Sequence, residues 1–514
     1  MPTPTWAVYI DTDDDGDFET GENIASYVLS FESRLGFWDE ERHAALPCTC
    51  TLIVNNQGGE FDGGGVLGVE AGRYVRILAT HTLTYSVWTG CIAFVEPHEV
   101  RYQARVVCIG RWAAAWSRIE CPIVQDATAD AIWRDYLSKR VMFRPRLTAG
   151  SNQAWLLEVA GRGELDDVFL SNDRYDMNVL SAMQTGTEGG ETTFAYFGDQ
   201  YEELTPLIDI VNDLMTAENG YFYEDTVGKF FVIDRNHVVL LAGAEPTPLT
   251  GAELHEIVFR YSEGIVNRVV GEVIPRRVEE DYLFWTLENN LLIRQGGTLK
   301  VAVKFIAADG FTVAALGDLV EGNFVFHRHG SVEVTDGVNY YLEVTGRGAK
   351  ITVVNGSPYH IVLLAGATLT GTALIKQEPI SIEMVNEESR GLYGERTRRL
   401  PLKLFEEPDQ ALDLADLIMN RESRPAGRLR RVKLRNTTSA VLTEQLSHGM
   451  MTAVAFDLAG LGHADLYAIY GIAQRWDGRN LETEWFLRGI GDLAAWTLNR
   501  VGFSELDETT VLAY

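Results

Sequence analysis

The chain has 514 residues, 46% of them hydrophobic and 10% aromatic: too long for one core, too apolar for a disordered tail, with three to four domains expected. Its 73 acidic residues against 44 basic ones give a net charge of −29, which excludes a protein built to grip a nucleic-acid backbone through basic patches. No apolar run approaches the roughly 20 residues that span a bilayer, and the basic-then-apolar layout of a signal peptide is missing, so synthesis in a cytoplasm without a membrane anchor is expected.

The first apolar run, Trp6 to Ile10, is of strand type and feeds the most distinctive stretch of the chain, Asp11 to Glu22. That stretch fits the twelve-residue calcium-loop pattern. Asp11, Asp13 and Asp15 alternate, Gly16 permits the sharp turn, Asp17 offers a backbone carbonyl, Glu19 a water-mediated contact and Glu22 a bidentate carboxylate. Seven carboxylates in twelve residues repel one another unless a cation is present or the loop stays open to water. Strand-type residues follow at Ser26 to Phe31, so helices do not flank the loop and an EF-hand is excluded. Two readings stand: a structural calcium site of Asp11, Asp13, Asp15, Asp17 and Glu22, or a solvated Asp/Gly turn.

Further strands are expected at Cys48 to Val54, Arg73 to Leu78, Ser86 to Ala93 and Tyr102 to Ile109, separated by Gly/Asn/Pro clusters. The five cysteines are an odd number at no zinc spacing, and Cys48 and Cys50 would share one strand face, so buried free thiols are expected. From about 127 the period becomes helical, to Leu137. A clearer helix runs from Leu204 to Met215, with Thr205 placed as N-cap and Pro206 in the first turn. It leads into a hairpin, Gly220 to Asp225 and Lys229 to Arg235.

The expected organisation is mainly β with α+β parts. It comprises an N-terminal β-barrel with the Asp-rich loop over 1–115, a mixed helix and loop region over 116–200 and an α+β domain over 201–290. An inserted β-sandwich over 291–376, a helix plus second β-barrel over 377–500 and a C-terminal tail over 501–514 follow. Two segments resemble each other. Gly72 to Ile77 followed by Tyr85 to Ala93 corresponds to Gly449 to Val454 followed by Tyr467 to Ala473, and each pair leads to a strand closing in Gly, Gly110 or Gly489. Two related small barrels at opposite ends of the chain fit this spacing.

The ordered set of Trp6 to Phe18, Cys50 to Phe61, Gly72 to Ile77, Trp88-Thr89-Gly90, Phe231 to Arg235, Phe259 to Val269, the Asp409 to Arg421 helix, Ala495 to Asn499 and Leu512 to Tyr514 resembles the tail-tip hub, or minor tail, proteins of long-tailed bacteriophages. The resemblance touches most of the chain outside 291–376. It implies a structural, non-enzymatic virion protein at the tail tip, with two related barrels and α/β domains of the tail-hub type. It further implies a homotrimer whose six-fold-like face closes the tail tube. Partners would be the distal tail protein ring, the tape-measure protein and a central fibre or receptor-binding protein. DNA would pass without specific binding, along a predominantly acidic lumen.

No HExxH, GxSxG or Walker A pattern is present in the sequence. Glu188-Gly189-Gly190-Glu191 reads as an ordinary loop, because its carboxylates would repel a phosphate. His327-Arg328-His329 reads as an exposed alternating strand. Asp166-Asp167 and Glu202-Glu203 do not stand out in so acidic a chain. Two alternatives remain: a calcium-stabilised carbohydrate- or cell-surface-binding β protein, and a tail-associated polysaccharide hydrolase using two carboxylates about 5–10 Å apart.

Overall fold

The computed structural model describes residues 2–489 apart from 13–17, 39–41, 63–66, 68, 99–100, 120, 139–191, 202–203, 234–245, 261–263, 307–312, 329–331, 345, 425–427 and 459–462. The fold is mainly β, and twelve strands join in one sheet. Six come from the N-terminal part: β1 (Thr5–Ile10), β2 (Val28–Gly36), β3 (Thr49–Asn55), β4 (Tyr74–Thr80), β5 (Thr84–His98) and β6 (Gln103–Ile109). Six come from later: β7 (Leu249–Thr250), β8 (Glu256–Arg260), β9 (Arg428–Arg435), β10 (Ala453–Leu458), β11 (His463–Trp476) and β12 (Leu481–Gly489).

Spatial order repeats. The first unit runs β1-β4-β5-β6-β3-β2 and the second β7-β10-β11-β12-β9-β8, each strand being its counterpart plus six. One orientation differs: β1 is antiparallel to β4, whereas β7 is parallel to β10. The repeated segments seen in the sequence are the β4-β5 and β10-β11 hairpins. In both units the long strand carries a bulge at the same place, between Ile92 and Phe94 against β6 and between Ile469 and Gly471 against β12. A bulge bends and twists its strand. The N-terminal half of each long strand therefore pairs with the preceding hairpin strand, while its C-terminal half runs on.

Period-two alternation drives these strands. β12 buries every second residue from Leu481 to Gly489, and β3 buries Cys50, Leu52 and Val54. The buried faces of both units merge into one core around Leu52, Ile77, Trp88, Leu434, Ile469 and Trp485. The first unit curls back on itself. Ile24 N–H donates to the Val8 carbonyl at 2.7 Å, and Tyr9 bridges Asn23, so the chain leading into β2 rejoins β1.

A second core lies beside the sheet. It packs α1 (Leu207–Glu218), the 3-10 turn Arg111–Trp116, the helical segment Ala129–Leu137 and the hairpin Tyr221–Glu224/Phe230–Ile233 against α2 (Pro408–Glu422). Thr205 does not cap α1. It pairs in a short strand with Ile119, which fixes it extended, and Pro206 takes the cap position without a side-chain hydrogen bond. A third core, from Phe284 to Ala373, belongs to a β-sandwich of three small sheets. Its opening strand, Arg276–Thr286, pairs with Thr368–Lys376, so the range 291–376 read from composition covers all but that strand. Arg268–Val273 pairs with Ile380–Val385 and closes the base of this insertion. Most of the 116–200 region and the whole 501–514 tail lie outside the described residues.

Candidate functional site

The two β units meet along one edge, in a seam internal to the chain. β2 pairs antiparallel with the C-terminal half of β11, from Phe31 opposite Trp476 to Gly36 opposite Gly471. Phe37 N–H continues the ladder by donating to the Tyr470 carbonyl at 3.0 Å. Aromatic rings line both ends of the seam. Trp6 lies 4.9 Å from Phe31 and 5.6 Å from Trp476, while Phe37 stacks on Tyr470 at 4.2 Å. Pairs of this kind contribute about 0.5–1.5 kcal/mol each beyond buried area. Gly36 has φ +98°, and a Cβ there would meet the Tyr470 carbonyl oxygen at 2.6 Å, so only glycine fits the corner. Chemically the seam is a rigid joint.

The Asp-rich loop hangs on the far end of the first unit. Asp11 is buried, and its N–H donates to the Tyr74 carbonyl at 3.0 Å. Glu22 turns its carboxylate into the loop. Oε1 accepts from Thr12 N–H at 2.5 Å and Thr12 Oγ1 at 2.9 Å, and Oε2 accepts from Glu19 N–H at 3.1 Å. Glu22 thus closes the loop back onto Thr12 and Glu19. Asp13, Asp15 and Asp17 lie outside the described residues.

Two charged groups are buried where cores meet. Glu224, at the end of Tyr221–Glu224, accepts from Arg111 N–H at 2.8 Å and Trp112 N–H at 3.2 Å, closing the N-terminal end of the 3-10 turn. Burial pushes its carboxyl up to about 7, against the opposing pull of those two N–H groups and the Arg111 cation. Arg276 forms a bidentate pair with Asp199, both contacts at 3.0 Å, and donates to the carbonyls of Ile274, Lys403 and Phe405. It ties the base of the sandwich to the second core. Neither group was legible as special in the sequence, because type and spacing do not mark which carboxylate of an acidic chain is buried.

Among the described residues no three His, Cys, Asp or Glu side chains gather as a metal site. Cys48, Cys50, Cys108 and Cys121 are buried free thiols and Cys91 is half-buried. Asp166-Asp167, Glu188 to Glu191, Glu202-Glu203 and His329 lie outside the described residues. No helix among the described residues is long and apolar enough to cross a membrane.

A scan against models of protein families gives no match, and a search of curated proteins gives none. Among solved structures the chain is similar to the 43 kDa tail protein of prophage MuSo2 from Shewanella oneidensis, at 9% identity and a TM-score of 0.46, over 95% of this chain and 99% of that one. It is similar to the tail protein from Neisseria meningitidis MC58 at 7% identity and a TM-score of 0.45, over 96% and 99% of the two chains. Prophage tail protein gp18 from Listeria monocytogenes EGD-e is similar at 8% identity and a TM-score of 0.36, over 94% of each chain.

Proposed function

We propose that this chain is a structural subunit of a phage tail, a tail-tip hub that closes the distal end of the tail tube. The observation that carries the reading is the doubled sheet, in which two six-stranded units of identical order stand side by side in one chain. Three copies then present six near-equivalent units around an axis, which lets a three-fold hub meet a six-fold tube. The order of short motifs along the sequence supports the same assignment. Partners under this reading are the distal tail protein ring, the tape-measure protein and a central fibre or receptor-binding protein. The net charge of −29 suits a lumen along which DNA passes without adhering. Asp11, Asp13, Asp15, Asp17 and Glu22 hold a structural calcium ion in this proposal, bracing β1 against the segment that enters β2. Native mass measurement and negative-stain imaging test the assembly. A three-fold ring is expected, and a stable monomer that forms no ring even beside its partner proteins refutes it.

A further inference from the structure

We infer that the outer face of one sheet of the inserted sandwich binds an acidic polysaccharide, a chain of linked sugars carrying carboxylates on their rings. The inference stands apart from the hub reading, which needs no such face. Three strands build it: Thr298–Lys304 and Val338–Val344 each pair antiparallel with Gly348–Asn355, which lies between them. Ile351 and Val353 turn into the third core, so Lys350, Thr352 and Val354 point away from it. The pairing sets the outward residues in rows. Tyr341 lies opposite Thr352, and Thr352 opposite Lys300. In the next row Glu343 lies opposite Lys350 and Lys350 opposite Ala302, while on the other side Asn339, Val354 and Thr298 align. Lys304 falls two residues beyond Ala302, on the same face.

Charge singles out this face. The chain has only eight lysines and a net charge of −29, yet Lys300, Lys304 and Lys350 all stand here, and all are exposed. Lys350 Nζ pairs with Glu343 Oε2 at 3.0 Å, so three lysines against one glutamate leave two positive charges on these rows. Lys300 and Lys304 are four residues apart, roughly 13 Å, and Lys350 lies diagonal to both at about 7–8 Å. Edge protection accounts for lysines on an outer strand but not for Lys350, which is on the central one. Tyr341 adds an apolar surface. It is 60% exposed, whereas Tyr340 before it turns the other way and stacks on Phe324 at 5.3 Å.

A sugar ring offers C–H groups to an aromatic face and hydroxyls to the polar side chains around it, here Thr352, Asn339 and Thr298. A uronic acid carries its carboxylate on that same ring. One residue can therefore rest on Tyr341 while its charge reaches Lys300 in the same row. In a phosphate-linked polymer the charge lies between sugars, off the ring face. The lysines are spread along the sheet, which suits charges spaced along an extended chain rather than one small anion. Duplex DNA suits the face less. Three lysines neutralise at most about three phosphates, and a duplex would run on over the acidic remainder of the chain. A single glycan strand stays within the face, where charges farther than about 8 Å away are screened at physiological salt.

The experiment is titration of the full-length chain with a short oligogalacturonate, beside a neutral oligoglucoside, a glycerol-phosphate oligomer and duplex DNA. Binding of the oligogalacturonate is expected, weakened by added salt and tighter than binding of the other three. Lys300→Gln/Lys350→Gln should lower the affinity about tenfold, as two exposed ion pairs together supply, and Tyr341→Ala several-fold. All three side chains are exposed, so the variants should melt within about 1 °C of the wild type. No binding of the oligogalacturonate, or binding that both variants keep in full, overturns the proposal. Equal binding of the neutral sugar overturns it by removing the role of charge. Equal binding of DNA or the phosphate oligomer overturns it by reducing the face to a general anion surface. None of these results touches the hub reading, which ring formation decides.

Discussion

Replacing Glu224 by Gln tests whether a buried carboxyl joins the second core to the sheet. Its side chain is about 1% exposed and accepts two backbone N–H groups from the turn that follows β6. Burial raises its pKa from 4.5 to about 7. The folded state therefore holds the proton more tightly than the unfolded chain. The stability this contributes is fully present below about pH 4.5 and is lost as pH rises through about 7. A gap of about 2.5 units is worth roughly 3 kcal/mol. Glutamine keeps the shape and cannot ionise, but it offers one acceptor oxygen to two donors, a loss of about 1–2 kcal/mol. At pH 5 the variant should melt below the wild type, and by pH 8 the order should narrow and reverse. Thermal melts of both chains between pH 5 and 8 read the difference, in which every other titrating group cancels. At about 2 °C per kcal/mol for a unit of roughly 250 residues, the swing is some 6 °C. A wild-type-minus-variant difference that stays the same at pH 5 and pH 8 refutes the reasoning.

Asp199→Ala should cost about 3–5 kcal/mol, because it strands a guanidinium whose side chain is 0% exposed. Arg276→Lys should cost nearly as much, since one ammonium cannot replace a fork that reaches Asp199 and three carbonyls, and a melting temperature within 1 °C of wild type for both would contradict this. Trp476→Ala removes a half-buried ring from the Trp6–Phe31 cluster and should cost about 2 kcal/mol, with limited proteolysis then separating the first unit from the rest; an unchanged digest argues against the seam as the joint. Chelation should lower the melting temperature of the N-terminal unit, and Asp13→Ala should abolish the difference. Identical melts with chelator and with excess calcium leave only the turn reading.

The repeat was legible because the hairpins β4-β5 and β10-β11 fall in the same order at both ends of the chain, and because the strand after each, β6 or β12, runs to a glycine, Gly110 or Gly489. The other third of the second unit was not legible. β7 is two residues long and has no period to read, and β8 shows no alternation, with Glu256 and Arg260 exposed and the three residues between them half-buried. Residues 261–427 then separate β8 from its neighbour β9, so the sequence places β7 and β8 with the α+β region that precedes the insertion. Thr205 failed as a cap for a related reason. Residue type predicts caps where the backbone is free to turn, and here a pairing with Ile119 had already fixed it. Of the five proposed cation ligands, Asp11 is buried and Glu22 accepts hydrogen bonds from Thr12 and Glu19 within the loop.

The composition of the seam explains why the two units form one body. It is sealed by Trp6, Phe31, Phe37, Tyr470 and Trp476, whose rings pack across the β2–β11 pairing. Parting the units would break that ladder and expose those rings together, so the seam forms as part of the shared core.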